Sequence, residues 1–193
     1  IKGDNKLKKV TGKKDPLKLN ILYSTAYQVL VLIIPLITAP YVSRVLGATN
    51  LGIYSYTQAF ANYFVLFAML GVANYGNRSI AQVRDNPKQL SKTFWEIYSF
   101  QICVTIIVSV IYVSYCFIAV SQNRAIYLLQ FLYVISAGFD INWFFFGIEK
   151  FKLTVTRNTI IKIANAILIF ALVKECSDLP IYTLIMSIGT LVS

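Results

Sequence analysis

The 193-residue sequence predicts an all-α, polytopic integral membrane protein arranged as a six-helix lobe. Three observations carry that reading. Apolar stretches recur six times, at residues 20–41, 52–71, 94–120, 125–147, 153–173 and 180–193. An α-helix needs about 20 apolar residues to cross the hydrocarbon core, and the first five stretches meet that length. Basic residues sort to alternate connections. Of 18 Lys and Arg, 14 lie in the N-terminal tail and in connections 71–93 and 148–157, whereas the other connections hold only Arg44, Arg124 and Lys174. Finally, 57% hydrophobic against 13% charged residues suits a chain whose solvent is lipid.

The positive-inside rule puts the N-terminus and the two basic connections in the cytoplasm, in a multi-pass protein of the cell membrane. Residues 1–19 read as a basic cytoplasmic tail, and 20–193 as the six-span lobe, its last span truncated. A net charge of +10 would suggest nucleic acid in a soluble protein. Here Lys6, Lys8, Lys9, Lys13, Lys14 and Lys18 lie just before the first span. There each cation gains about 1 kcal/mol from anionic membrane lipids, so those lipids, and not nucleic acid, are the expected partner. The first apolar stretch is too long for a cleavable signal peptide and lacks the small-residue flank. The start at Ile1 and the short last stretch mark the sequence as a fragment or a truncated product.

Each element has its own signal. Pro35 lies inside the first span, where it removes a backbone hydrogen bond and predicts a bend, while Pro40 fits a helix end. Gly47 and Gly52 bracket a short outer turn. Residues 72–93 are long enough for a surface helix with Ile80, Val83 and Leu90 facing the bilayer. Asn86-Pro87 reads as an N-cap and first helical residue, restarting the chain into the third span. Cys103 and Cys116 are 13 residues apart in one span, about 20 Å along a helix, and cannot bridge. Without His, no metal set forms and no cofactor is expected.

Polar residues inside the spans fall at helical spacing. They are Asn20, Ser24 and Gln28 in the first span and Tyr54, Gln58 and Asn62 in the second. The third has Gln101, Thr105, Ser109 and Tyr112, and the fifth has Thr154, Asn158, Lys162 and Asn165. A single stripe can be helix–helix glue. Four on neighbouring spans point to a shared hydrated cavity. Asp140 is ten residues before Lys150 and Lys162 ten after Lys152, so both sit about 15 Å deep and are expected to meet as an ion pair. That pair either fixes packing or forms a binding site. Arg157 is shallower and can snorkel to the interface. Trp143 shares the Asp140 face, where it either stacks on a sugar or packs in the bundle. No Ser-His-Asp set, phosphate loop or paired carboxylate is present, so the chain does not read as an enzyme.

The stretch Pro40-Tyr41-Val42-Ser43-Arg44-Val45-Leu46-Gly47-Ala48 with Leu51-Gly52-Ile53-Tyr54 resembles the first outer loop of Wzx-type polysaccharide flippases. Residues Tyr75-Gly76-Asn77-Arg78-Ser79-Ile80-Ala81-Gln82-Val83-Arg84-Asp85-Asn86 resemble their first cytoplasmic loop. Asn142-Trp143-Phe144-Phe145 with Gly147-Ile148-Glu149-Lys150-Phe151 is similar to their fourth-span exit. The likeness runs in order from Leu17 onward. It implies the N-terminal lobe of a two-lobe exporter fold, of the multidrug/oligosaccharidyl-lipid/polysaccharide exporter type, with the second lobe absent from this chain. It also implies transport of undecaprenyl-diphosphate-linked oligosaccharides from the cytoplasmic to the outer leaflet, with a polysaccharide polymerase as a candidate partner. The expected substrate path combines Lys162, Asn158, Asn165, Asp140, Trp143, Gln58, Asn62 and Gln28. Two other readings stand beside it: a cation-coupled small-molecule exporter of the same fold, and a non-transporting truncated membrane protein.

Overall fold

A computed structural model describes residues 16–193, with the side chains of 16–28, 30–32 and 151 outside the description. The first-span stripe of Asn20, Ser24 and Gln28, and the whole basic tail, therefore lie outside the described side chains. The elements are α1 (Pro16–Met69), α2 (Val72–Val83), α3 (Pro87–Ile118), α4 (Arg124–Phe139), α5 (Asn142–Gly147) and α6 (Phe151–Leu172). A 3-10 turn (Cys176–Asp178) and α7 (Leu179–Val192) follow. The described residues contain no strand, which bears out the all-α reading. Among the described residues four segments are long and apolar enough to cross a membrane: Ile33–Val83, Pro87–Ile118, Arg124–Gly147 and Lys152–Leu172. The shorter apolar helix Cys176–Val192 joins them.

The first of these segments folds back on itself. Gly47 is the one residue inside α1 with non-helical dihedrals, φ 75° and ψ 167°, a conformation that a Cβ would strain. Before it the chain climbs beside α6: Pro35 shares a cavity wall with Lys162, and the Tyr41 hydroxyl donates to the Val173 carbonyl at 2.7 Å. After it the chain descends, from Asn50, whose amide donates to the Cys176 carbonyl at 2.7 Å, to Met69 beside Gln101. The outer turn expected between Gly47 and Gly52 thus contracts to a single glycine. The backbone stays helical through Pro35 and Pro40, and departs from helix only at Gly47.

Leu70 and Gly71, both at positive φ, separate α1 from α2. Helix α2 docks on protein, not on lipid. Ile80 is fully buried with Ile97, Trp143 and Val72, and Leu90 packs against the same cluster. Arg84 forms an ion pair with Glu149 that ties α2 to the end of α5. The expectation that Ile80 and Leu90 face the bilayer is therefore corrected: the apolar face of α2 is spent on α5 and the start of α3. The expected cap holds, since Asn86 Oδ1 accepts the N–H groups of Lys88 and Gln89 at 3.2 and 3.3 Å and Pro87 opens α3.

Helix α3 is two-faced. Gln101, Thr105, Val108, Tyr112 and Cys116 are buried at helical spacing, while Ile106, Ile107, Val110 and Ile111 are exposed, as a lipid-facing flank requires. Helix α4 is the hub, packing against α7, α1 and α3. Two apolar clusters hold the bundle: Val42, Leu46, Tyr54, Val173 and Tyr182 toward the Gly47 end, and Ala61, Ala68, Tyr112, Val134 and Ala137 between α1, α3 and α4.

Candidate translocation groove

The fourth apolar stretch is not one helix. It breaks at Asp140 (φ −73°, ψ 98°) and Ile141 (φ −104°, ψ 19°), then restarts as α5. Asp140 Oδ1 accepts the N–H of Asn142 at 2.9 Å across the break. Gln101 reaches in from α3, its Nε2 donating to the carbonyls of Ala137 at 2.6 Å and Asp140 at 2.9 Å. Gln101 Oε1 accepts the indole N–H of Trp143 at 2.9 Å.

Beside the break opens a groove of about 200 Å³, lined by Val65 and Met69 of α1, Tyr133, Ser136 and Asp140 around α4, Asn142, and Thr190 of α7. Its polar edge continues along α1. The Tyr133 hydroxyl donates to Asn62 Oδ1 at 2.8 Å, and Gln58 lies within hydrogen-bonding reach of the same hydroxyl. On the other side Arg157 of α6 donates to Asn142 Oδ1 at 2.9 Å and to the Ser193 carbonyl. Carboxylate, guanidinium, phenol, hydroxyls and amides thus converge on one strip.

Lys162 and Asn165 lie elsewhere. They line a second cavity of about 310 Å³, between α6, the first half of α1 and α7, with Pro35, Thr38 and Tyr182 on its walls. Asn165 abuts Gly189 so closely that a Cβ there would meet its Nδ2 at 1.9 Å. Asn158 is half-buried, its Oδ1 3.4 Å from Arg157 Nε.

Several expectations change. Among the described residues no ion pair joins Asp140 and Lys162, so the contact expected from their equal predicted depth does not form. Equal depth says nothing of rotation about each helix axis, and the two face different cavities. Trp143 is 1% exposed and stacks on Phe94, which favours the packing alternative over a sugar platform. Two members of the third-span stripe act as glue: Gln101 serves the break, and the Tyr112 hydroxyl donates to the Tyr127 carbonyl at 2.8 Å. Two residues of the site were missed. Helical spacing alone makes Arg157 a snorkelling interface cation and Gln101 one member of a stripe, though an arginine inside an apolar helix and a glutamine on a buried face are both visible signals.

Among the described residues the site offers hydrogen bonds and charge, and no nucleophile–base pair. Among the described residues no three His, Cys, Asp or Glu side chains cluster as metal ligands. A guanidinium binds phosphate or carboxylate oxygens in a fork, and amides and hydroxyls suit sugar hydroxyls.

A family model described as "Polysaccharide biosynthesis protein" matches residues 17–193. Two relatives carry the name "Putative O-antigen transporter". The protein of Escherichia coli strain K12 is 27% identical over 179 residues, covering 92% of this chain and 43% of its own length. That of Shigella dysenteriae is 25% identical over 190 residues, covering 94% and 44%. The chain thus spans less than half the length of these relatives. No solved structure matches it significantly.

Proposed function

The chain belongs to the polysaccharide biosynthesis protein family, and from that premise we propose that it is one lobe of a membrane flippase for lipid-linked oligosaccharides. The coarse role, transport in polysaccharide biosynthesis, follows the relatives' names. The finer reading is that undecaprenyl-diphosphate-linked repeat units pass from the cytoplasmic to the outer leaflet, where a polymerase takes them up. Transport requires no catalytic residue of this chain. The tail, α2 and the turn after α5 face the cytoplasm, where anionic lipids meet the tail lysines.

One observation supports this reading above others: a polar strip of Gln58, Asn62, Tyr133, Asp140 and Asn142 runs along helices whose opposite flanks are lipid-facing. Polar groups at membrane depth are costly unless they serve packing or a path. Arg157 suits a diphosphate at the groove, and Lys162, Asn158 and Asn165 form a second polar stretch along α6.

The test is complementation. The intact protein is expressed in a strain lacking its own flippase, and surface polysaccharide is measured beside lipid-linked repeat units retained on the inner leaflet. Restored surface glycan with cleared intermediates supports the proposal. Full abundance in the membrane with no restoration, in a strain supplying the cognate glycan, overturns it. Orientation is read separately. The exposed Cys176 reacts with an impermeant maleimide on intact cells, and Lys88→Cys reacts only after permeabilisation.

A further inference from the structure

The break in the fourth span strands backbone carbonyls, among them those of Ala137 and Asp140. In a continuous helix the Ala137 carbonyl would accept the N–H of Ile141, and the Asp140 carbonyl that of Phe144. Here the Phe144 N–H donates instead to the Ile141 carbonyl at 3.0 Å. The Gln101 amide nitrogen takes both of these carbonyls, at 2.6 and 2.9 Å. Non-helical backbone at membrane depth survives only when the protein satisfies every group it frees. Gln101, at 0% exposure, does that for these two carbonyls from another helix.

We infer that Gln101 is a positioning residue for the groove: its side-chain amide replaces the backbone donors that the Ala137 and Asp140 carbonyls lose at the break, and so holds Asp140 and Asn142 facing the groove. Trp143 fixes the sense of the amide. Its indole N–H can only donate, so it selects the orientation with Oε1 toward the ring and both N–H bonds toward the carbonyls. The reversed amide would set an oxygen against two carbonyl oxygens and the indole N–H against an NH2. A carboxylate would do no better, having no proton for either carbonyl. An aliphatic chain would leave all three partners unpaired. The length matters as well as the chemistry, because the amide must span from α3 to both sides of the break.

A neighbour on the same face supplies the control. Thr105, one turn further along α3, is buried and its hydroxyl has no hydrogen-bond partner. Its γ-methyl and hydroxyl pack toward Gly138, just before the break. Thr105→Val keeps that packing and removes a hydroxyl that bonds nothing, so it separates hydrogen bonding from fit.

The inference rests on the groove being the transport path, and the test separates the two. In the intact protein in lipid membranes, hydrogen exchange of segment 139–145 is compared with that of 125–135, beside transport at matched abundance. Gln101→Leu is expected to raise exchange about 10-fold in 139–145 alone, since two backbone carbonyls and the indole lose their partners together. Trp143→Phe, which keeps an aromatic ring but loses the indole N–H and part of the packing, should give about 5-fold in the same segment. It serves if Gln101→Leu does not accumulate. Thr105→Val should change nothing. Unchanged exchange at 139–145 in both variants, or a rise spread evenly along α4, overturns the positioning role. A local rise with unimpaired transport upholds it and overturns the groove as the path.

Discussion

Gly76 of α2 lies against the face of the Trp143 ring, where a Cβ would come within 2.6 Å of ring carbon. Trp143 is held at its other edge by Gln101 and stacked on Phe94, so the ring cannot retreat. The docking of α2 and the break in the fourth span therefore meet on one aromatic side chain.

Gly76→Ala should loosen that dock. Alanine gains up to about 1 kcal/mol of helix propensity, but overpacking against a rigid ring costs about 1–3 kcal/mol. The expected result is a lower melting temperature and faster proteolysis within α2, measured on the purified protein. Unaltered thermal stability and protection would show that the ring moves aside.

Gly189 and Asn165 form a similar contact at the end of a flexible side chain. Gly189→Ala is expected to drive the Asn165 amide out of its place and lower stability by about 1–2 kcal/mol. Asn165→Ala in the same chain should restore most of that loss, giving a coupling that a double-mutant cycle on denaturation midpoints measures. Additive losses would mean that the two sites respond independently.

Lys162→Ala should impair glycan export more than Lys152→Ala at equal abundance. Lys162 is half-buried on a cavity wall, where a charge-assisted contact contributes about 1.5–3 kcal/mol, roughly 10- to 100-fold in an equilibrium. Lys152 is exposed, and screening holds such contacts to about 1 kcal/mol or less. Lys162→Arg should keep part of the activity. Export by Lys162→Ala at the level of the unaltered protein would reduce Lys162 to a packing role.

Asp178 predicts an acid response at the rim near Cys176. Its carboxylate accepts the backbone N–H groups of Lys174 and Glu175 at 2.8 and 2.9 Å, which hold its pKa below the ordinary 3.8. A depressed folded pKa means that the turn is stabilised above 3.8, and that this support fades as pH falls through the lower folded value. Hydrogen exchange of residues 174–178, corrected for intrinsic rate, should therefore rise below about pH 4. Asp178→Asn, which cannot ionise, should flatten that response. A pH-independent segment in the unaltered protein would contradict the prediction.

Much of this lobe was legible from local chemistry. Span lengths follow from apolar runs, and the start of α3 follows from Asn86-Pro87, because a cap is made by neighbours in sequence. The break at Asp140 was not legible. No Pro or Gly marks positions 140 and 141, and the group that sustains it lies 36 residues away from Ala137. Polar side chains in the spans were recognised as such, and Gln58 and Asn62 both reach Tyr133, which lines the groove with Asp140. Their partners were not, since helical phase is set by packing against α4 and α7. Depth could be counted from Lys150 and Lys152; azimuth could not.

The order of residues along the chain gives the Gln101 contact a consequence in biosynthesis. Chains emerge N-terminus first, so Gln101 leaves the ribosome before Ala137 and Asp140 do. The fourth span reaches the translocon with its missing donors already waiting in the bilayer. Were the donor on α6 or α7, the interrupted segment would have to sit in lipid with bare carbonyls until a later helix arrived. Placed on the preceding helix, it lets a discontinuous span be inserted without that delay.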